Sequence, residues 1–209
     1  SNVMEYLGYQ FTSNQDILKK SLDKAGICFL HAPLFHPAMK TVAPIRKELG
    51  VKTFFNMLGP MVNPAQPQNQ IVGVFSLELA RLYAYLYQQS NKNYTILHAL
   101  QGYDEISLTC DFKTFSNIGE QIYTVNSLGF EEIDAATITG GNTVEESAKI
   151  FKSVIENNAT NNQTNVVLCN AAMAIKTMNS HKTFADCFYE AEKSLVDGLA
   201  LKSFRNLLS

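Results

Sequence analysis

Five of the chain's six prolines fall between residues 31 and 64: Pro33, Pro37, Pro44, Pro60 and Pro64, with Gly50 and Gly59 among them. Proline fixes φ and removes a backbone donor, so this stretch forms short helical turns and shaped loops, not long elements. It also carries His31, His36, Lys40, Arg46, Lys47 and Lys52. Just before it, Ile27-Cys28-Phe29-Leu30 is a continuous apolar run that reads as a buried strand. Cationic loops after a buried strand are where α/β proteins place their sites.

Outside this stretch the pattern is regular. Met4 to Leu7 reads as the end of a helix stopped by Gly8. Ser13 offers an N-cap with Asp16 three residues on, and Ile17, Leu18, Leu22 and Ala25 make an apolar stripe ended by Gly26. Strands are expected over 70–75 and 94–100, with short ones at 106–108 and within 112–126 around a turn near Gly119. Helices are expected over 77–89, 144–155 and 166–178, the last preceded by an Asn-rich loop at 157–165. A final helical stretch, 184–207, bends near Gly198. Strand, helix, strand alternation predicts an α/β fold with a mostly parallel central sheet covered by helices. Residues 1–26 read as helices preceding the domain, and 27–209 as the domain itself.

Composition excludes several classes. With 209 residues and 46% apolar side chains, the chain can bury a core. The most apolar stretch, 71–86, is interrupted by Glu78 and Arg81, so no membrane span is expected. No basic N-terminus precedes an apolar run, so no secretory signal is expected either. Lys+Arg 17 against Asp+Glu 19 leaves a net charge of -2 without a basic stripe, which disfavours nucleic acid. Cys28, Cys110, Cys169 and Cys187 form no C-x-x-C pair, so reduced, mostly buried thiols and a cytoplasmic setting are expected. The sequons at Asn158 and Asn162 then mark only a polar loop.

Few residues could carry chemistry. No G-x-S-x-G occurs, and the His and Cys spacings fit no zinc site. Gly140-Gly141 before a helix lacks the third glycine and preceding strand of a dinucleotide loop and reads as a turn. Asp104-Glu105 follows the strand at 94–100 and points off the sheet top, where two hard oxygens suit Mg²⁺ on a phosphate substrate. A solvated acidic turn is the competing reading. If residues 36–46 are helical, His36, Met39, Ala43 and Arg46 share one flank. An apolar strip ending in a guanidinium suits a flat ligand bearing a carboxylate. A structural His beside an exposed Arg is the alternative.

Three blocks resemble anthranilate phosphoribosyltransferase: Phe29-Leu30-His31-Ala32-Pro33-Leu34-Phe35-His36-Pro37-Ala38-Met39-Lys40, Val42-Ala43-Pro44-Ile45-Arg46-Lys47-Glu48-Leu49-Gly50, and Thr53-Phe54-Phe55-Asn56-Met57-Leu58-Gly59-Pro60-Met61-Val62-Asn63-Pro64. Tyr103-Asp104-Glu105-Ile106-Ser107-Leu108 resembles that family's D-E metal motif, and Asn170-Ala171-Ala172 and 191–207 its C-terminal helices. The likeness runs from Met4 onward. Family members carry, ahead of this point, a small helical domain, a G-T-G-G-D loop, an N-x-S-T motif and a K-H-G-N-R motif, none of which occurs here.

The resemblance implies the nucleoside phosphorylase/phosphoribosyltransferase fold, truncated on its N-terminal side. It implies transfer of phosphoribosyl from 5-phosphoribosyl 1-diphosphate to anthranilate, with release of diphosphate, in tryptophan biosynthesis. By resemblance Asp104 and Glu105 hold Mg²⁺, Arg46 binds the anthranilate carboxylate, His36 and Met39 lie beside its ring, and Gly59 and Pro60 line an apolar channel. No covalent nucleophile is implied. The complete enzyme is expected to be a homodimer, and this chain alone inactive for want of the glycine-rich donor loop. The alternatives are a related nucleoside phosphorylase, or a non-catalytic paralogue that binds protein or nucleic acid.

Overall fold

A computed structural model describes residues 1–36 and 59–209. The chain divides into two compact units, one of Ser1–Gln66, Asn142–Lys149 and Leu199–Ser209, the other of Pro67–Gly141 and Ile150–Gly198.

The second unit is built on four strands, β1 (Asn69–Gly73), β2 (Asn93–Ala99), β3 (Phe112–Ser116) and β4 (Gly119–Tyr123), in that spatial order. β1 and β2 are parallel, with Asn69 opposite Asn93 and Gly73 opposite Leu97. Helix Leu77–Gln88 makes the crossover between them. β2–β3 and β3–β4 are antiparallel. The α/β fold is as expected, but the mostly parallel sheet is a mixed one. The reason is local: β3 and β4 are joined through Asn117 and Ile118 only, and so short a link cannot make a parallel crossover. Asn117 also closes the sheet's end. Its Oδ1 accepts from the Tyr94 N–H at 2.8 Å and its Nδ2 donates to the Lys92 carbonyl at 2.8 Å.

Every residue of β2 after Asn93 is buried, because both faces are covered. On one face Leu97 and Ala99 join a core with Ile106, Leu108, Phe112, Tyr123 and Val125, completed by Cys169 and Met173. On the crossover helix Ala80, Tyr83, Ala84 and Tyr87 are buried, and the Tyr87 and Tyr94 rings lie 5.4 Å apart. Four further α-helices lie among the described residues, numbered after α1 (Asn2–Tyr6), α2 (Gln15–Ala25), α3 (Ala32–Phe35) and the crossover helix α4: α5 (Val144–Ile155), α6 (Asn161–Met178), α7 (Phe184–Val196) and α8 (Leu199–Leu208).

α6 begins earlier than the apolar pattern suggested, inside the Asn-rich loop. Thr160 and Gln163 form a reciprocal cap there, each side chain accepting the other's backbone N–H at 3.3 Å. The final helical stretch divides at Gly198, whose φ of 71° is left-handed.

In the first unit the cap of α2 is Asn14 rather than Ser13, its Oδ1 accepting from Asp16 N–H at 2.9 Å. α8 lies on α2: Ser203 donates to the Ala25 carbonyl, and Asn206 Nδ2 to that of Lys24 at 3.0 Å. Tyr9, Ala25 and Leu207 form a small core with Met4, Phe11 and Phe29. Two expected strands are absent among the described residues. Ile27–Leu30 forms no ladder, since Phe29 packs its ring edge-on against Tyr9 at 5.1 Å instead. Ile106–Leu108 is likewise no strand: Leu108 takes a left-handed φ of 59°, and the backbone of Ile106 bonds to a side chain. No helix among the described residues is long and apolar enough to cross a membrane.

Candidate functional site

The acidic loop leaves the carboxyl end of β2, beside the end of β1. Gly102, with a left-handed φ of 95°, turns the chain back so that its N–H reaches the Ala99 carbonyl at 2.8 Å. The Ala99 N–H in turn donates to the Tyr103 carbonyl at 3.0 Å. Hydroxyls tie the two ends of the loop together: Thr109 Oγ1 donates to Gln101 Oε1 at 3.2 Å and lies 2.8 Å from Ser107 Oγ. Asp104 and Glu105 are both exposed at its tip.

Two contacts fix that tip from below. Gly73, last residue of β1, lies directly under Asp104; a Cβ there would fall 1.6 Å from the Asp104 carbonyl oxygen. On α6, the Asn170 side chain bonds both backbone groups of Ile106, accepting from its N–H at 2.9 Å and donating to its carbonyl at 2.8 Å. Ile71, Gly73, Leu97, Asp104 and Asn170 line one cleft. It sits at the carboxyl end of the parallel pair, where α/β folds bind ligands.

The Glu105 carboxyl is pushed above its ordinary value, first by partial desolvation and then by the charge of Asp104 beside it. A divalent cation between two neighbouring carboxylates would offset the charge of both. Among the described residues no group of three or more His, Cys, Asp or Glu converges on a metal position. Two adjacent hard carboxylates suit Mg²⁺, which takes one or two carboxylates and completes its shell with water and phosphate oxygens. The donor set at Asp104 and Glu105 therefore fits Mg²⁺ and fits zinc poorly.

The residues expected at the aromatic acceptor lie in the first unit. His36 follows α3, its N–H donating to the Ala32 carbonyl at 2.9 Å. His36 and Gly59 line one pocket together with Leu30, Phe35, Val62 and Pro64. Pro60 follows Gly59 in a turn. Met39 and Arg46 lie outside the described residues. Gly140-Gly141 makes no anion cradle. Thr143 Oγ1 takes the Glu146 N–H at 3.1 Å, the Glu146 carboxylate takes that of Asn142 at 2.6 Å, and Glu145 adds a second negative charge to the turn.

Sequence reasoning did not assign roles to Gly73 or Asn170. Gly73 inside an otherwise apolar strand was the available signal, since such a glycine marks close backbone approach. Asn170 is a polar residue between the buried Cys169 and the helix face of Ala172, a position that calls for a buried partner.

Residues 1–201 match the glycosyl transferase family, a/b domain. The chain is 57% identical over 210 residues to an anthranilate phosphoribosyltransferase of Christiangramia forsetii, covering 99% of this chain and 62% of that protein. It is 54% identical over 207 residues to one from Flavobacterium psychrophilum, with coverage of 99% and 62%. It thus spans less than two thirds of these relatives. Among solved structures, the Saccharomyces cerevisiae anthranilate phosphoribosyltransferase in complex with PRPP and Mg superposes with a TM-score of 0.90 at 27% identity, over 99% of this chain and 59% of that one. The same yeast enzyme in complex with 4-fluoroanthranilate gives 0.90 at 26% identity, over 100% and 61%.

Proposed function

The chain belongs to the glycosyl transferase family, and on that premise we propose that it is the acceptor-binding and metal-holding portion of an anthranilate phosphoribosyltransferase. The reaction joins the amine of anthranilate to the anomeric carbon of 5-phosphoribosyl 1-diphosphate and releases diphosphate. The relatives' names and the yeast complexes with PRPP, Mg and 4-fluoroanthranilate support this reading. The observation that carries it is the exposed Asp104–Glu105 pair, held at the sheet's carboxyl end over Gly73.

The reacting carbon becomes oxocarbenium-like as its anionic leaving group departs, so the site must neutralise charge and place the nucleophile. Asp104 and Glu105 would hold Mg²⁺, which would supply charge neutralisation on the diphosphate. An aromatic amine brings a free lone pair, so no side chain need act as covalent nucleophile. Arg46 binds the anthranilate carboxylate through its two-pronged guanidinium. His36 and Met39 flank the ring, and Gly59 and Pro60 shape the apolar approach. Such a biosynthetic enzyme works in the cytoplasm, and the complete protein is a homodimer.

Anthranilate is fluorescent, so its binding to the 209-residue chain can be titrated directly. Saturable binding is expected, with aniline, which lacks the carboxylate, failing to compete. Arg46→Ala should weaken it by roughly 1.5–3 kcal/mol, the worth of a charge-assisted contact. Binding that aniline matches, or that Arg46→Ala leaves intact, rejects the assignment.

A further inference from the structure

We propose that Asn170 positions the Asp104–Glu105 pair for a divalent cation, an inference that rests on the metal role proposed for that pair. Its carboxamide meets Ile106 as a neighbouring strand would, accepting the N–H at 2.9 Å and donating to the carbonyl at 2.8 Å. The second N–H of the same group goes to the Val166 carbonyl, one turn back on α6, at 2.9 Å. Both protons and one oxygen of the side chain are thereby committed, and its rotamer is fixed. A carboxamide offers a donor and an acceptor side by side without charge.

The bond to the Ile106 N–H matters because that N–H belongs to the peptide unit that begins at Glu105. A peptide unit is planar, so holding its N–H holds the plane that contains the Glu105 Cα. Ile106 is itself fully buried, giving the plane a second anchor. One residue earlier, Asp104 rests on Gly73. The two carboxylates thus stand between one support on β1 and another on α6. α6 is a firm base: Cys169 and Met173 lie in the core, and Thr177 Oγ1 sits 2.8 Å from Thr95 Oγ1 of β2. Asn170 and Asp104 line the same cleft, so the clamp and the carboxylates share one site. A cation gains little from two acidic side chains whose backbone must be ordered at the moment of binding; a fixed backbone removes that entropy cost.

The test is a Mn²⁺ titration of the 209-residue chain followed by electron paramagnetic resonance, with wild type, Glu105→Gln, Asn170→Ala, Asn170→Ser and Thr177→Val compared below their unfolding transitions. Glu105→Gln should remove the site. Both Asn170 variants should weaken Mn²⁺ binding by about tenfold or more, the usual effect of losing a residue that orients a metal ligand. They should also speed hydrogen exchange at the Ile106 amide. Thr177→Val, on the same helix but away from the loop, should lower stability and leave Mn²⁺ affinity and Ile106 exchange as they were. If Asn170→Ala does not fold, Asn170→Ser decides. A Mn²⁺ response indifferent to Glu105→Gln removes the metal reading and this proposal together. A response that needs Glu105 but is unchanged in the Asn170 variants, or falls equally in Thr177→Val, overturns the role of Asn170 alone.

Discussion

Gly73 and Asp104 touch backbone to backbone: a side chain's first carbon on Gly73 would lie 1.6 Å from the Asp104 carbonyl oxygen and 2.7 Å from its carbonyl carbon. The neighbouring atoms are main chain, so they cannot swing aside. Gly73→Ala must therefore lift the acidic loop or push β1 away from β2. We expect a loss of about 1–3 kcal/mol in urea unfolding, the range for forced overpacking. A stability equal to wild type would show that the loop moves freely.

Thr177 and Thr95 are both buried, and their hydroxyl oxygens lie 2.8 Å apart. Thr177→Val keeps the shape and leaves the Thr95 hydroxyl without this partner. A buried polar group so deprived costs about 1–3 kcal/mol. Denaturant midpoints of the single variant and of Thr95→Val/Thr177→Val measure this. The double variant should recover part of the loss, because it removes the orphaned group.

The cap of α7 sets a dependence on acid. Thr183 donates from both its hydroxyl, at 2.6 Å, and its N–H, at 3.2 Å, to the Asp186 carboxylate, and these bonds hold that carboxyl below its ordinary value of 3.8. A lowered value in the folded state means that the unfolded chain binds the proton first. The contribution is therefore complete above the ordinary value and disappears as pH falls through the folded one. Melting temperatures measured from pH 5 down to pH 2 should drop less steeply in Asp186→Asn than in wild type. Parallel curves would contradict this.

Thiol reactivity should follow burial. Cys110, Cys169 and Cys187 are buried and Cys28 only partly so. Burial drives the Cys169 thiol to about 12 and also raises that of Cys28. At neutral pH a small maleimide should label the native chain at Cys28 first. Peptide mass mapping that finds Cys169 labelled before unfolding would show that α6 opens.

Much was legible from local signals. The alternation of apolar runs located β1, β2 and the hairpin, and glycines located the ends of α2 and α7, because left-handed turns favour that residue. The blocks around His36, Gly59 and Asp104 carried the family likeness. Other features were not local. Ile27–Leu30 is apolar enough for a strand, but Phe29 is taken up by the rings of Tyr9 and Phe11. The start of α6 depended on a reciprocal cap hidden in a polar run.

By itself the sequence determined which segments could be helix or strand, since periodicity, caps and prolines act within a few residues. It also determined the chemistry on offer at Asp104, Glu105 and His36. Only the tertiary structure decided that β3 turns back against β2, that Gly73 lies under Asp104, and that Asn170, 64 residues beyond Ile106, holds the backbone behind Glu105. Those relations join residues far apart in the chain. Their energies exist only once burial has brought backbone groups out of water and made each of them need a partner.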